Sequence, residues 1–315
     1  MRWLFTALTV SACFCAPMTS HAKPGASEIV TIATPSPVDQ FRIAQSGRLG
    51  AGCCEDGLLR IWRLPDGELI RSIEVGTNDF RLIALSRDGR LLLTTQWNGE
   101  TVVWDTSSGK SVFHRQFPHY LSAAAFSRDD RYLAAASNFW PVQVIDMVGN
   151  TNLCELGVTT GGTQAVIFSP DGKLIATADA DTQIRVYDSH SGKLTASRQE
   201  FLMNPFSVDF TADGKEVVAG GVDKVVAFFS AETGQVSKRL KQKERVGYVE
   251  VSADNKYLAT ILFDLTVSIS DINSNRKLCE WHPSSALLWA WAWSTEGHFL
   301  VATHTTNAVH VWQLN

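Results

Sequence analysis

Apolar and polar residues alternate along this chain in short segments bounded by Gly, Asn, Asp, Ser or Pro, a period-two pattern that predicts β-strands joined by tight turns. The clearest stretch is Ala165 to Lys193. It holds an apolar segment ending at Phe168, a Ser169-Pro170-Asp171-Gly172 turn, an alternating segment Lys173 to Thr177, a polar turn around Asp181, a second alternating segment Ile184 to Tyr187, and a Ser191-Gly192-Lys193 turn. The segments are too short for helices, so no appreciable helix is expected.

The same pattern recurs seven times. The position of Tyr187 is filled by Trp62, Trp104, Ile145, Tyr187, Phe229, Ser270 and Trp312, at intervals of 42, 41, 42, 42, 41 and 42. The position of Phe168 is filled, at identical intervals, by Ile43, Leu85, Phe126, Phe168, Phe210, Val251 and Trp293. Two ladders in register leave no room for a linker or a second domain between about Glu28 and Asn315. Gly89, Gly172, Gly214 and Gly297 close the first turn, with Asp130 and Asn255 in the same place, and Gly67, Gly109, Gly192 and Gly234 mark the later hairpin beside Asn150 and Asn275. These residue types tolerate positive φ.

Period, turns and copy number resemble the WD40-repeat β-propeller family. Trp104-Asp105 is its W-D dipeptide, Tyr187-Asp188 and Ile145-Asp146 are variants, and the Ser-Pro-Asp-Gly turn is its a-to-b hairpin. The resemblance implies an all-β fold, a seven-bladed β-propeller of four-stranded antiparallel blades. No Gly-His dipeptide precedes any repeat; Gly76, Phe117, Thr159 and Phe201 stand there, so the family's His-to-Asp network is expected to be incomplete or absent. The last copy stops at its third strand, and Glu28 to Ile32 is an unassigned strand-like segment. The N-terminal strand is therefore expected to close the ring as the outer strand of blade seven, removing an exposed edge.

Ahead of the repeats, Arg2 precedes an apolar run, Trp3 to Ala16, and Ser20-His21-Ala22 has the small-residue form of a cleavage site. The reading is a signal peptide over 1–22 and one propeller domain over 23–315, exported to the periplasm or beyond; the alternative is a lipoprotein anchored through Cys13. The other cysteines outside the leader, Cys53, Cys54, Cys154 and Cys279, read as small buried hydrophobes, with a disulfide between distant blades as the alternative. A net charge of -4, from 28 basic and 32 acidic residues, gives no positive field for nucleic acid. No 18-residue apolar stretch follows the leader. Phosphate-loop, dinucleotide, zinc-hydrolase, serine-hydrolase and calcium-loop motifs do not occur, so no cofactor or metal is expected.

Three constellations remain. Asp56, Asp181, Asp223 and Asp264, with Asn98, share one repeat position and read as turn-capping acceptors in the b-to-c connection. Arg42, Asp209 and Glu250 share a slot on innermost strands filled elsewhere by Ala84, Ala125, Ile167 and Ala292; they read as polar groups in a central channel, or as a cation site or acid/base pair. Lys238 to Arg245 carries five basic residues and reads as protection of an outer strand, or as a docking patch for an anionic partner. Aromatic residues gather in or beside the d-to-a connections (Phe80, Tyr120, Phe206) and the b-to-c connections (Trp97, Phe139, Trp140, Phe263, with His304 beside them), which open on one face; Trp289 lies near its rim. The sequence thus predicts an exported, monomeric, non-catalytic scaffold that holds a protein or peptide partner through this face. The alternative is a secreted propeller hydrolase or lactonase with its site at the channel.

Overall fold

Each copy of the repeat folds as a four-stranded antiparallel sheet, and the first strands of successive sheets pack side by side around a central axis. The computed structural model describes residues 26–75, 80–157, 160–282, 287–294, 297–305 and 308–314; the side chains of Arg81 and of residues 287–289 and 303–305 are not among the features described. The expected leader, with Cys13, lies outside the described residues. Blade one comprises strands a to d at Val38–Ile43, Leu49–Cys54, Leu58–Arg63 and Leu69–Glu74. Blades two to six start at Phe80, Ala123, Thr163, Pro205 and Val246. No helix occurs among the described residues, so none is long and apolar enough to cross a membrane.

Blade seven closes the ring. Its strands Leu287–Trp293, Phe299–Thr305 and Ala308–Leu314 are completed by Ala26–Ala33, which pairs antiparallel with the last of them from Ala26 opposite Leu314 to Ala33 opposite Ala308. The closing strand is longer than the expected Glu28 to Ile32 and carries a bulge between Glu28 and Val30. Ile32 is buried among Val38, Ala302 and Val309, so closure is hydrophobic as well as hydrogen-bonded. On the rim, Glu28 accepts from Thr31 and lies 2.6 Å from His310 Nδ1.

The turns repeat one device. Ser169 Oγ donates to Asp171 Oδ1 at 2.7 Å and accepts from Leu174 N at 2.9 Å, while Gly172, at φ 75°, returns its N–H to Ser169 O. The same set recurs at Ser86/Asp88, Ser127/Asp129 and Ser252/Asp254. Asp130 and Asn255 take Gly172's place at φ 57° and 60°, as their short polar side chains permit.

The core lies between blades. One cluster joins Ala176, Ile184 and Val186 of blade four to Val208, Phe210, Val217 and Phe229 of blade five, and similar clusters recur around the ring. Burial of each large side chain is worth about 1.5–3 kcal/mol, so the blades hold one another. Cys53, Cys54 and Cys279 are buried and Cys154 half-buried, none in a disulfide. In blade four Asp179 accepts from Thr163 Oγ1 at 2.7 Å, Thr177 Oγ1 at 2.9 Å and Arg185 Nη1 at 2.6 Å, and Arg185 also grips Asp181. Blade one pairs Arg60 with Asp56 in the same corner, and blade two keeps a Trp104 Nε1 to Thr94 Oγ1 bond at 3.0 Å. Arginine and threonine here tie the corners without a histidine.

Candidate functional site

The b-to-c connections lie against the neighbouring d-to-a connections, which places both on one face. Gly99 shows how closely they meet: with φ 88°, a Cβ there would fall 2.2 Å from Phe117 O and 2.8 Å from His119 O. Asx turns cap the b-to-c connections, with Leu58 N, Glu100 N, Gln183 N and Thr266 N donating to Asp56, Asn98, Asp181 and Asp264. Asp223 differs, accepting instead from Leu202 N of the adjacent connection. These carboxylates are turn builders.

Over blades two and three the face carries a continuous group of rings. Tyr120 lies 4.8 Å from Trp97 and 5.8 Å from Phe139, and His119 lies 4.5 Å from Phe139. Trp97 and Phe139 are 52% and 57% exposed, more than half of two large apolar side chains left in solvent. Trp140 is turned inward, stacked on buried Phe117 at 6.1 Å and packed on the core of blades two and three, with its Nε1 buried and unbonded. A second group lies over blades five and six, where Phe206 and Phe263 are 5.2 Å apart and the Arg245 guanidinium sits 4.7 Å from the Phe263 ring.

Phe80 corrects the sequence reading. It is the first residue of strand a in blade two, only 5% exposed, and packs on Cys53, Ile73 and Leu92, so it belongs to the core and not to the open face. Phe80 holds the opening position of strand a that Val38, Thr163 and Val246, all buried, hold in blades one, four and six, each followed by the same bulge. Trp289 and His304 lie on blade-seven strands, with side chains outside the described features. Leu202 and Met203, 91% and 55% exposed, were not singled out by the sequence reading. Their signal was present: two apolar residues in the Phe201–Asn204 connection, outside both ladders.

At the axis, Asp209 is held by two amides, accepting from Phe210 N and from Val251 N of the next blade, each at 2.7 Å. Glu250 repeats the arrangement more loosely: Oε1 lies 3.4 Å from Trp293 N of blade seven, and Oε2 is buried without a hydrogen bond. Burial raises the Asp209 carboxyl to about 7, although it keeps some solvent contact along the channel. Burial, then repulsion from Asp209, raises Glu250 to about 8. Arg42 donates to Phe41 O at 2.8 Å, and burial lowers its guanidinium. Among the described residues no group of three or more His, Cys, Asp or Glu is arranged to hold a metal ion. The axial carboxylates are inter-blade staples built from one slot of the repeat.

The basic run lies along the outer strand Val236–Lys241 of blade five and the connection after it. Arg239 pairs with Glu200, Lys243 with Glu280 at 2.9 Å, and Lys238 donates to Ile272 O. These contacts link the rims of blades four, five and six, each exposed pair contributing about 0–1 kcal/mol.

Residues 154–188 match the WD domain, G-beta repeat family. The chain is 29% identical over 154 residues to the WD repeat-containing protein SL1-17 of Schistosoma mansoni, covering 48% of this chain and 50% of that protein. It is 22% identical over 278 residues to Autophagy-related protein 16 of Arabidopsis thaliana, covering 85% and 53%. It is 23% identical over 177 residues to Eukaryotic translation initiation factor 3 subunit I of Schizosaccharomyces pombe, covering 52% and 53%. The chain spans about half the length of the curated relatives it matches.

Proposed function

We propose that this chain, a WD40-repeat β-propeller, is a non-catalytic platform that holds a protein or peptide partner on the face bearing its b-to-c and d-to-a connections. The observation that carries the reading is the pair of exposed rings Trp97 and Phe139 on either side of the Tyr120 contacts on that face, with Leu202 and Met203 exposed on a separate d-to-a connection of the same face. A soluble fold gains nothing from leaving such groups in water, whereas interfaces use them as anchors. Tyr120, Phe206 and Phe263 would extend the surface. The relatives' WD-repeat character agrees with an interaction role.

We further infer that residues 1–22 are a leader removed on export, that 23–315 act as one domain, and that the propeller works as a monomer in the periplasm or outside the cell. A hydrolase or lactonase working at the channel is the competing reading. The raised Asp209 and Glu250 carboxyls favour it, and their use in holding Val251 and Trp293 weighs against it. The test is capture of a partner from the exported fraction on the immobilised full propeller, followed by hydrogen exchange of the complex. The platform reading expects new protection at residues 97–99, 117–122 and 137–142. Protection confined to the a-to-b turns on the other face would contradict it.

A further inference from the structure

On the face of the a-to-b turns, a cleft of about 540 Å³ lies between blades three and four. Its walls are Arg128 and Asp129 of the a-to-b turn of blade three, Asp171 and Gly172 of the same turn in blade four, and His190 of the blade-four c-to-d turn. Tyr132 lines it too, half-buried, with its ring 5.6 Å from the His190 ring and inclined to it by 70°. A Cβ at Gly172 would meet no atom within 4 Å, so the cleft is open at that edge. Its size falls within the range of about 300–1,000 Å³ found for small-molecule sites.

Two opposite charges stand in the cleft without counter-ions in the protein. Arg128 donates through Nη1 to Pro170 O at 3.2 Å, which holds its guanidinium across the boundary between the blades. Asp129 spends Oδ1 on Ser127 Oγ and Arg131 N, at 2.6 and 3.2 Å, and keeps Oδ2 for another donor. The Ser127 bond holds its carboxyl below the ordinary carboxylate range, so it is ionised. The charges around them are paired: Arg90 with Asp130, Arg131 with Asp146 and Lys173 with Asp171, at 3.2, 2.7 and 3.6 Å. Among the described residues neither Arg128 nor Asp129 has an opposite charge within 4.0 Å. His190 adds a defined acceptor. Ser189 Oγ donates its proton to Gly172 O at 2.7 Å and therefore accepts from His190 Nδ1 at 3.0 Å, which leaves Nε2 of the neutral ring as an acceptor.

The two signs together select the occupant. A simple anion that satisfied Arg128 would face Asp129 and Asp171, and a simple cation on Asp129 would face Arg128. A ligand with a carboxylate and an ammonium satisfies both. The guanidinium fork matches a carboxylate, and the ammonium N–H groups find acceptors in Asp129 Oδ2 and His190 Nε2. The Tyr132 and His190 rings offer an apolar surface to a side chain between the two ends. We propose that this cleft binds a short peptide with both termini free, its carboxylate on Arg128 and its ammonium on Asp129. The site lies on the face opposite the platform surface, and neither reading depends on the other.

The experiment titrates the tripeptide Ala-Phe-Ala into the full chain and follows the heat of binding. Parallel titrations use its N-acetylated and C-amidated forms and glycerophosphoethanolamine, a zwitterion with phosphate in place of carboxylate. Saturable binding of the free tripeptide is expected, weakened by about tenfold or more when either terminus is blocked, as loss of a charge-assisted hydrogen bond implies. Arg128→Gln should erase the difference between the free and amidated forms and keep that between the free and acetylated forms. Asp129→Asn, which retains an acceptor for Ser127 and Arg131, should do the reverse. Val112→Ser, at a 54% exposed position on the outer strand of blade two, should leave binding unchanged. Circular dichroism confirms the fold of each variant. Absence of saturable binding by the free tripeptide, equal binding of the blocked forms, or tighter binding of glycerophosphoethanolamine overturns the proposal. Each of those results leaves the platform reading, which concerns the other face, standing.

Discussion

The Asp209 carboxylate on the innermost strand of blade five accepts the backbone N–H of Val251 on the innermost strand of blade six at 2.7 Å. Other side chains tie neighbouring inner edges: between blades five and six Ser207 Oγ accepts from Val249 N at 3.1 Å, and between blades three and four Ser122 Oγ donates to Thr163 O at 2.7 Å. Asp209→Ala leaves the Val251 amide without its acceptor in the interior. Such a loss costs about 1–3 kcal/mol. Urea unfolding should show it as a lower midpoint at unchanged slope, with Asp209→Asn, which keeps one acceptor oxygen, losing less. Equal midpoints for all three proteins would remove the staple.

The axial carboxyls also fix a pH dependence. Asp209 and Glu250 titrate in the fold at about 7 and about 8, above the ordinary carboxylate range, so the folded ring holds more protons than the unfolded chain between those limits. Their contribution to stability is complete below the ordinary carboxylate range and is lost as pH rises through about 7 to 8. Melting temperature should therefore fall between about pH 5 and about pH 9, and Glu250→Gln should flatten that fall. A parent and variant with parallel pH profiles would refute the assignment.

Deleting Glu28 to Ile32 removes most of the strand that completes blade seven, including buried Ile32. Loss of its ladder and apolar contacts should cost several kcal/mol, lowering the melting temperature by on the order of 10 °C. A deletion that melts with the parent would show that the ring closes by other contacts.

Cleavage after Ala22 would leave Lys23 as the first residue of the exported protein. Intact mass decides this, and a lipid-modified start at Cys13 would replace the prediction.

The architecture was legible because its signals are local. Ladders such as Phe126-Phe168-Phe210, and turn residues such as Gly172 and Asn255, repeat in each copy and need no knowledge of neighbours. The site was legible only in part, because exposure is set by the adjacent blade. Trp97 and Trp140 occupy similar connections, yet one stands in solvent and the other stacks on Phe117. Phe80 reads as a residue in or beside a d-to-a connection until it is recognised that the opening position of strand a is buried in one blade after another, as at Val38 and Val246. Asp209 and Glu250 were found as a pair, but their role depends on amides of strands about 42 residues away, which no sequence pattern marks.

The face and the core should separate cleanly under mutation. Phe80→Ala should cost about 3–5 kcal/mol of stability, as a large side chain lost from the core does. Asp209→Asn with Glu250→Gln should leave capture intact; loss of a hydrolytic activity in that variant would instead favour the channel enzyme.

The most direct measurement compares partner capture by the parent with that by a Trp97→Ala, Phe139→Ala variant, with melting temperatures determined on the same samples. Each exposed anchor is expected to contribute about 2 kcal/mol or more to binding and little to folding. The account predicts capture lost at a melting temperature close to the parent's. Undiminished capture of the same partners by the variant would contradict it.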